Sequence, residues 1–134
     1  MGGTVKVTRF LNFNNVCDIQ DYQIKHFGGD AGLRDRGLLE SAIGGIQLTF
    51  GGQYLYPDIY SQAAAYLYHI VKNHPFVDGN KRAGAMTAVV FLELNGYHFN
   101  APPDVFANLV IDVASGKMMK DKIADFFKKY TKEG

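Results

Sequence analysis

Two apolar helical segments that meet at a proline constrain this chain more than any other feature. Between Ser61 and Asn73, the residues Ala63, Ala64, Leu67, Ile70 and Val71 spread apolar character over much of a helical circumference, which predicts a central helix. Pro75 ends it. A proline pushes the residue before it out of the α region, so His74 is expected just past the helix end in an extended conformation. A second helix is expected from about Asn80 to Leu94, with Met86, Val89, Val90 and Leu94 facing the core and Asn95-Gly96 as its stop. The loop between them is Pro75 to Gly79.

The flanking sequence reads as more helix. Asn14 is a fair cap for a helix to about His26, with Val16, Ile19, Ile24 and Phe27 as its apolar stripe and Gly28-Gly29 as its stop. Asp35 caps another, with Leu38, Leu39, Ala42 and Ile43 at helical spacing. Pro102-Pro103-Asp104 opens a fifth helix that ends near Gly116, and Ile123, Phe126, Phe127 and Tyr130 mark a sixth. Lys128 and Lys129 near its end suit the helix dipole. Phe50 to Tyr60, rich in Gly, Tyr and Pro, reads as a loop or short hairpin. Thr4 to Phe13 is expected to open with a short extended piece, since Val5 and Val7 alternate with Lys6 and Thr8. The fold class expected is all-α, in one domain covering residues 1–134.

Composition narrows the function. The 134 residues suffice to bury a core without disulfides or a metal staple. The formal net charge of +1 lacks the basic excess of a nucleic-acid binder, so no direct nucleic-acid partner is expected. One cysteine, Cys17, rules out an intrachain disulfide and reads as a small buried hydrophobe. No apolar run reaches membrane-spanning length, and the first residues lack a secretory pattern; cytoplasmic residence is expected.

Residues 74 to 82 read His-Pro-Phe-Val-Asp-Gly-Asn-Lys-Arg. The N–H groups and dipole of a helix N-terminus form an anion site, and Gly79 lets a ligand approach the backbone there. Lys81 and Arg82 add positive charge, Asp78 offers an oxygen ligand for Mg²⁺, and His74 is a candidate general base for a hydroxyl. Each residue alone has a plainer role: His74 as a helix cap, Asp78 as a turn residue, Lys81 and Arg82 as a solvated first turn. Phe76 reads as a core anchor for the loop. Together, a base, a metal ligand and a phosphate cradle are the parts of phosphoryl or nucleotidyl transfer. His26, His69 and His98 read as structural.

This segment resembles the Fic motif, His-x-Phe-x-(Asp/Glu)-Gly-Asn-Gly-Arg-x-x-Arg, and more closely the Doc branch of the Fic/Doc family, which has Asn-Lys-Arg. The stretch from Gly32 to Ala42, Leu55-Tyr56-Pro57, the stretch from Phe91 to Gly96, and Ala114-Ser115-Gly116-Lys117 are similar to Doc-type segments in the same order. The resemblance implies a compact Fic-type helical bundle with a β-hairpin flap at Phe50 to Tyr56. It implies ATP and Mg²⁺ as cofactors, with His74 as catalytic base and Asp78 on the metal. Gly79, Asn80, Lys81 and Arg82 would lie on the phosphates. It also implies a toxin held off by an antitoxin protein, whose protein substrate is a translation factor such as elongation factor Tu. Two positions depart from the Fic pattern: Lys81 stands for the second glycine and Ala85 for the final arginine. Both departures are Doc-like and favour transfer of the γ-phosphate. Nucleotidyl transfer to a protein hydroxyl, and an idle binding module that keeps the fold, are the alternatives.

Overall fold

The computed structural model describes residues 7–134. These form six α-helices: α1 (Phe13–Phe27), α2 (Arg36–Gly44), α3 (Ile59–Asn73), α4 (Asn80–Leu94), α5 (Pro103–Ala114) and α6 (Lys120–Lys129). A 3₁₀ turn, Gly45–Gln47, follows α2. Two antiparallel pairs complete the fold, β1 (Thr49–Phe50) with β2 (Gln53–Tyr54), and β3 (Tyr97–Phe99) with β4 (Thr131–Glu133). The extended piece expected around Val5 lies mostly outside the described residues, and residues 7–12 form no strand.

Local chemistry sets the helix starts. Asn12, not Asn14, caps α1: its side chain accepts from the Asn15 N–H at 2.8 Å, and the Asn15 side chain accepts from the Asn12 N–H at 2.9 Å. This reciprocal box satisfies two donors at once, which a cap at Asn14 would not. Asp58 and Ser61 form the same box for α3 and start it at Ile59, earlier than its apolar run suggests. Asp35 caps α2 as expected.

Helix α3 is the axis of the core. Residues 62–67, Ile70 and Val71 are buried, and α2, α4, α5 and α6 all pack on it. Its closest partner, α4, is rolled away from the expected orientation. The face turned inward carries Ala83, Gly84, Thr87, Ala88, Phe91 and Leu92, while Met86 and Leu94 are exposed and Val89 and Val90 only half-buried. Proximity decides this. A Cβ on Gly84 would lie 2.9 Å from Val71 Cγ2 and 3.2 Å from the Leu67 carbonyl oxygen, so only small residues let the two helices approach this closely. In α1, Val16 is buried as expected, but Phe27 is exposed and the other buried residues are Gln20 and Gln23.

The hairpin sits where the sequence allowed one. Gly51 and Gly52, both with positive φ (58° and 80°), make the two-residue turn that matches strand twist. All four of its strand residues are exposed. The β3–β4 pair, absent from the sequence reading, ties the end of the described chain to the turn after α4. Phe99 of β3 packs there with Phe106, Phe126 and Phe127. None of the described helices is long and apolar enough to cross a membrane.

Candidate active site

The end of α3 shapes the loop that follows. His74 is not extended: it has φ 52° and ψ 54°, the left-handed conformation, and its N–H closes the last turn on the Ile70 carbonyl at 3.2 Å. Among the described residues it is the one non-glycine with positive φ. Proline disfavours the right-handed α region at the preceding residue, but the left-handed alternative costs an L-residue about 1–2 kcal/mol. Hydrogen bonds from the loop between α1 and α2 offset this. Arg34 Nε donates to the His74 carbonyl at 2.8 Å and an Arg34 terminal nitrogen donates to the Asn73 carbonyl at 3.3 Å. The Arg34 and Asp35 N–H groups both donate to the Pro75 carbonyl, at 2.7 and 3.0 Å. Leu33 and Phe76 then pair as a single antiparallel bridge, and Val77 N–H donates to the Gly32 carbonyl at 3.0 Å.

Core packing and one buried amide hold the rest of the loop. Phe76 is 1% exposed and anchors it in the core. The Asn80 side chain, itself buried, accepts from the Phe76 N–H at 2.9 Å and donates to the Phe76 carbonyl at 3.0 Å. The amide oxygen and one of its two N–H donors are therefore spent on the loop. Gly79, at φ 71°, takes the α4 N-cap position with no side chain covering the helix end.

Asp78 is exposed, and its carboxylate accepts from the Gly79 N–H at 2.8 Å and the Asp30 N–H at 3.2 Å. These two bonds, first Asp30 and then Gly79, hold its pKa below the ordinary carboxylate value, with Arg82 and Lys81 adding to the effect. The Gln20 amide donates to the Asp78 carbonyl at 3.2 Å. Gly29 suits this place, since its φ of 114° strains any L side chain and a Cβ on it would displace Asp78 Oδ2, 2.7 Å away.

His74, Val77, Asp78, Gly79, Asn80, Lys81 and Arg82 line one cavity of about 470 Å³, closed by Val71 and Ala114. The six candidate residues from the sequence thus converge on one space. His74 is exposed, and its imidazole makes no hydrogen bond to a described residue. The Arg82 guanidinium lies 4.9 Å from the Phe27 ring centroid, which orients it at the cavity edge. Uncovered N–H groups at the start of a 15-residue helix, with two cations beside them, make an anion site; an imidazole and an ionised carboxylate flank it.

No three His, Cys, Asp or Glu side chains cluster as a metal cage among the described residues. Asp78 is the one carboxylate lining the cavity. Each of its oxygens accepts one hydrogen bond and keeps lone-pair capacity, which fits Mg²⁺ bound by one carboxylate plus substrate phosphates.

The remaining candidates lie elsewhere. His26 lies on Tyr22, and its Nδ1 is 2.9 Å from the Tyr22 carbonyl oxygen. His98 pairs with Glu93 at 2.9 Å. His69 lies in a polar knot at the foot of the hairpin: Lys120 Nζ donates to the Tyr56 hydroxyl at 2.7 Å and lies 3.3 Å from His69 Nε2. Burial, then the Lys120 charge, lowers the His69 pKa to about 4. Burial raises the pKa of Cys17, which is half-buried and opposed to the thiolate character of a reactive cysteine. Sequence reasoning missed Gln20, Gly29 and Arg34 as supports of the loop. Arg34 lies in the stretch that looked Doc-like, but its role depends on contacts 39 and 40 residues away.

Comparison with known proteins finds relatives of this chain. The chain is 40% identical over 100 residues to Toxin Doc of Mycolicibacterium smegmatis, covering 73% of this chain and 77% of the relative. It is 29% identical over 117 residues to Protein kinase doc of Escherichia phage P1, covering 87% and 91%. The Fic/DOC family model matches residues 10–92, from the approach to α1 into the last turn of α4. That span includes every residue of the loop and its supports, and the chain belongs to the Fic/DOC family.

Proposed function

We propose that this protein is the toxin of a toxin–antitoxin pair and transfers the γ-phosphate of ATP to a Ser or Thr hydroxyl of a translation factor such as elongation factor Tu. The carrying observation is Lys81 beside Arg82 at the open N-terminus of α4, in the cavity that also holds His74 and Asp78. The relatives named as a toxin and as a protein kinase support the same reading. A glycine at position 81 would leave the helix end open to the terminal phosphates and bring the α-phosphate to His74. The lysine side chain takes that space and its charge pairs with phosphate, which favours a pose with the γ-phosphate nearest His74.

In this reading a His74 ring nitrogen removes the hydroxyl proton as the target oxygen forms its bond to phosphorus. The bond between the γ-phosphorus and the bridging oxygen breaks, and ADP leaves with that electron pair. The backbone of Gly79, bare of a side chain, lets the phosphates approach, and the Asn80 N–H, with Lys81 and Arg82, holds the phosphate oxygens in line. Asp78 would hold Mg²⁺, which would neutralise phosphate charge when bound. The exposed hairpin, Thr49–Tyr54, offers a free strand edge on which a target segment can add. An antitoxin helix would lay its apolar face into the trough of Pro103, Ala107, Val110 and Ile111 next to Lys81 and Arg82. The site of action is the cytoplasm.

The test is paired labelling. ATP labelled at the α- or the γ-position is incubated with the protein and a bacterial extract. Label retained on protein from the γ-position alone is expected. Label from the α-position would show nucleotidyl transfer and replace this reading. A His74→Ala chain should transfer neither.

A further inference from the structure

We propose that Lys120 is a positioning residue for the target segment: through the Tyr56 hydroxyl it fixes the angle of the hairpin against α3, the helix that ends on His74. This deepens the reading above, that the hairpin seats the target and His74 takes its proton, and rests on it. Tyr56 stands two residues beyond β2, and the N–H of the intervening Leu55 closes the hairpin on the Leu48 carbonyl at 2.8 Å. The four strand residues are exposed, and a hairpin of this size is marginal by itself. Contacts at its foot, with the Tyr54 ring edge-on to Phe10 at 5.4 Å, must set how it stands. Five residues, about 7.5 Å of helical rise, separate His69 from His74, so an anchor on His69 is an anchor close to the base.

Lys120 occupies a place that helix stability does not explain. It is the first residue of α6, where the positive end of the dipole disfavours a cation. It is also half-buried, while Lys122, Lys128 and Lys129 of the same helix are exposed. What it meets there accounts for the place. Its ammonium donates to the Tyr56 hydroxyl at 2.7 Å and lies 3.3 Å from His69 Nε2. It sits 5.0 Å from the Tyr56 ring centroid and 5.5 Å from that of Tyr68. Burial, then the Lys120 charge, keeps His69 neutral at pH 7, so its Nε2 can accept from the Tyr56 hydroxyl 3.2 Å away. Tyr56 is thus gripped through both its ring and its hydroxyl.

A second contact turns a pivot into a fixed joint. The Gln62 amide donates to the Tyr56 carbonyl at 3.0 Å and holds the backbone there on α3. One backbone bond leaves the chain free to turn about it. The Tyr56 ring, held at its far end by Lys120 and His69, removes that freedom. A strand added to the hairpin edge then presents its hydroxyl at a set distance from His74, and positioning of this kind is where transfer rates are won or lost.

The experiment measures γ-phosphate transfer to the target protein, enriched from the bacterial extract by following the label. Wild type is compared with Lys120→Met, Tyr56→Phe, their double variant and Lys122→Met. Lys120→Met keeps the length of the side chain and removes the charged donor; Tyr56→Phe removes one hydroxyl and no charge. Each should raise KM for the target roughly 10-fold, the equivalent of one hydrogen bond to a charged group, and leave KM for Mg-ATP unchanged. The double variant should be no worse than the more impaired single, because both break one link. Lys122→Met, which removes an exposed charge from the same helix, should match wild type. A melt gives the folded fraction; a variant that only loses folded protein lowers kcat with KM intact. If Lys120→Met does not fold, Tyr56→Phe decides alone. Unchanged target KM in the folded single variants overturns the proposal, as does a fall in kcat alone. So does a double variant whose loss is the product of the two singles, or a Lys122→Met as impaired as Lys120→Met. In each of those cases wild type still transfers the label and the phosphotransfer reading stands. A wild type that labels no protein from the γ-position overturns that reading and this proposal with it.

Discussion

Asn80→Ala isolates the bond that fixes the active-site loop. The substitution removes two hydrogen bonds, 2.9 and 3.0 Å, and leaves the Phe76 N–H and carbonyl in a region where Phe76 is 1% exposed and Asn80 4%. A buried polar group left without its partner costs about 1–3 kcal/mol. Two such groups set a range of roughly 2–6 kcal/mol, and water entering the space left by the amide brings the expectation to about 2–4 kcal/mol. For a chain of 134 residues that is a fall in Tm of the order of 10 °C.

Urea and thermal unfolding followed by circular dichroism measure this cost. Asn80→Asp sharpens the test, since it keeps the shape and the acceptor for the Phe76 N–H but faces the Phe76 carbonyl with an oxygen. When protonated, that oxygen donates to the carbonyl. The folded-state pKa of the new carboxyl should therefore be raised above its unfolded value of about 3.9. The group's stabilising contribution is then present at low pH and lost as pH rises through the folded pKa, so the deficit of Asn80→Asp against wild type should grow with pH. Transfer activity in Asn80→Ala should fall further than its folded fraction does, because the same bonds position His74 and Asp78. An Asn80→Ala chain within about 0.5 kcal/mol of wild type, the range of an ordinary surface substitution, would refute the bracing role.

Gly84→Ala should destabilise by about 1–2 kcal/mol in denaturant titrations. Overpacking against Val71 and Leu67 costs about 1–3 kcal/mol, while alanine regains up to about 1 kcal/mol of helix propensity. His74→Ala should lower transfer by about 10²- to 10⁴-fold with Tm within a few degrees of wild type, because the exposed imidazole makes no hydrogen bond that folding needs. His69, with its pKa lowered to about 4, binds a proton more readily in the unfolded chain between about pH 6.5 and 4. Stability should therefore fall as pH drops through that window. His69→Gln should fall less steeply in unfolding titrations at pH 7, 5.5 and 4.5.

The helices were legible because most carry a start or a stop signal in their own sequence, such as Asp35, Gly28-Gly29, Pro75 and Asn95-Gly96, and the sixth shows by its apolar spacing; the order of six was correct. The boundaries that moved did so where two residues cap each other. Asn12 with Asn15, and Asp58 with Ser61, satisfy donors reciprocally, and an apolar count does not register that. The orientation of α4 was misread for a different reason. Periodicity ranks Met86, Val89, Val90 and Leu94 as the face to bury, but α3 approaches so closely at Gly84 that the face buried is the one carrying Ala83, Gly84, Thr87 and Ala88. Hydrophobicity favours large residues in a core; a close helix crossing selects small ones, and here the crossing decides. The β3–β4 pair joins segments more than thirty residues apart, and its short strands carry no pattern strong enough to be read alone.

At the candidate site, the residues that face the cavity were readable and those that hold them were not. His74, Asp78, Gly79, Asn80, Lys81 and Arg82 stand within nine positions, so chemistry and spacing could be judged together. Their supports come from α1 and the loop after it, through backbone donors, the Gln20 amide and one guanidinium that no local rule can place. Extension before a proline, the expectation for His74, fails there because it describes the chain without a partner. Arg34 and the Pro75 carbonyl contacts supply that partner, and they make a left-handed turn stable where an unaided chain would extend. The turn also has a consequence for the chemistry. A left-handed residue at the end of α3 turns the chain sharply at His74 and leaves its ring exposed at the mouth of the cavity, while Phe76 two residues on is driven into the core. Strain at this one residue thus sets an imidazole beside an anion site, and the loop between α1 and α2 is as much a part of the site as the motif it supports.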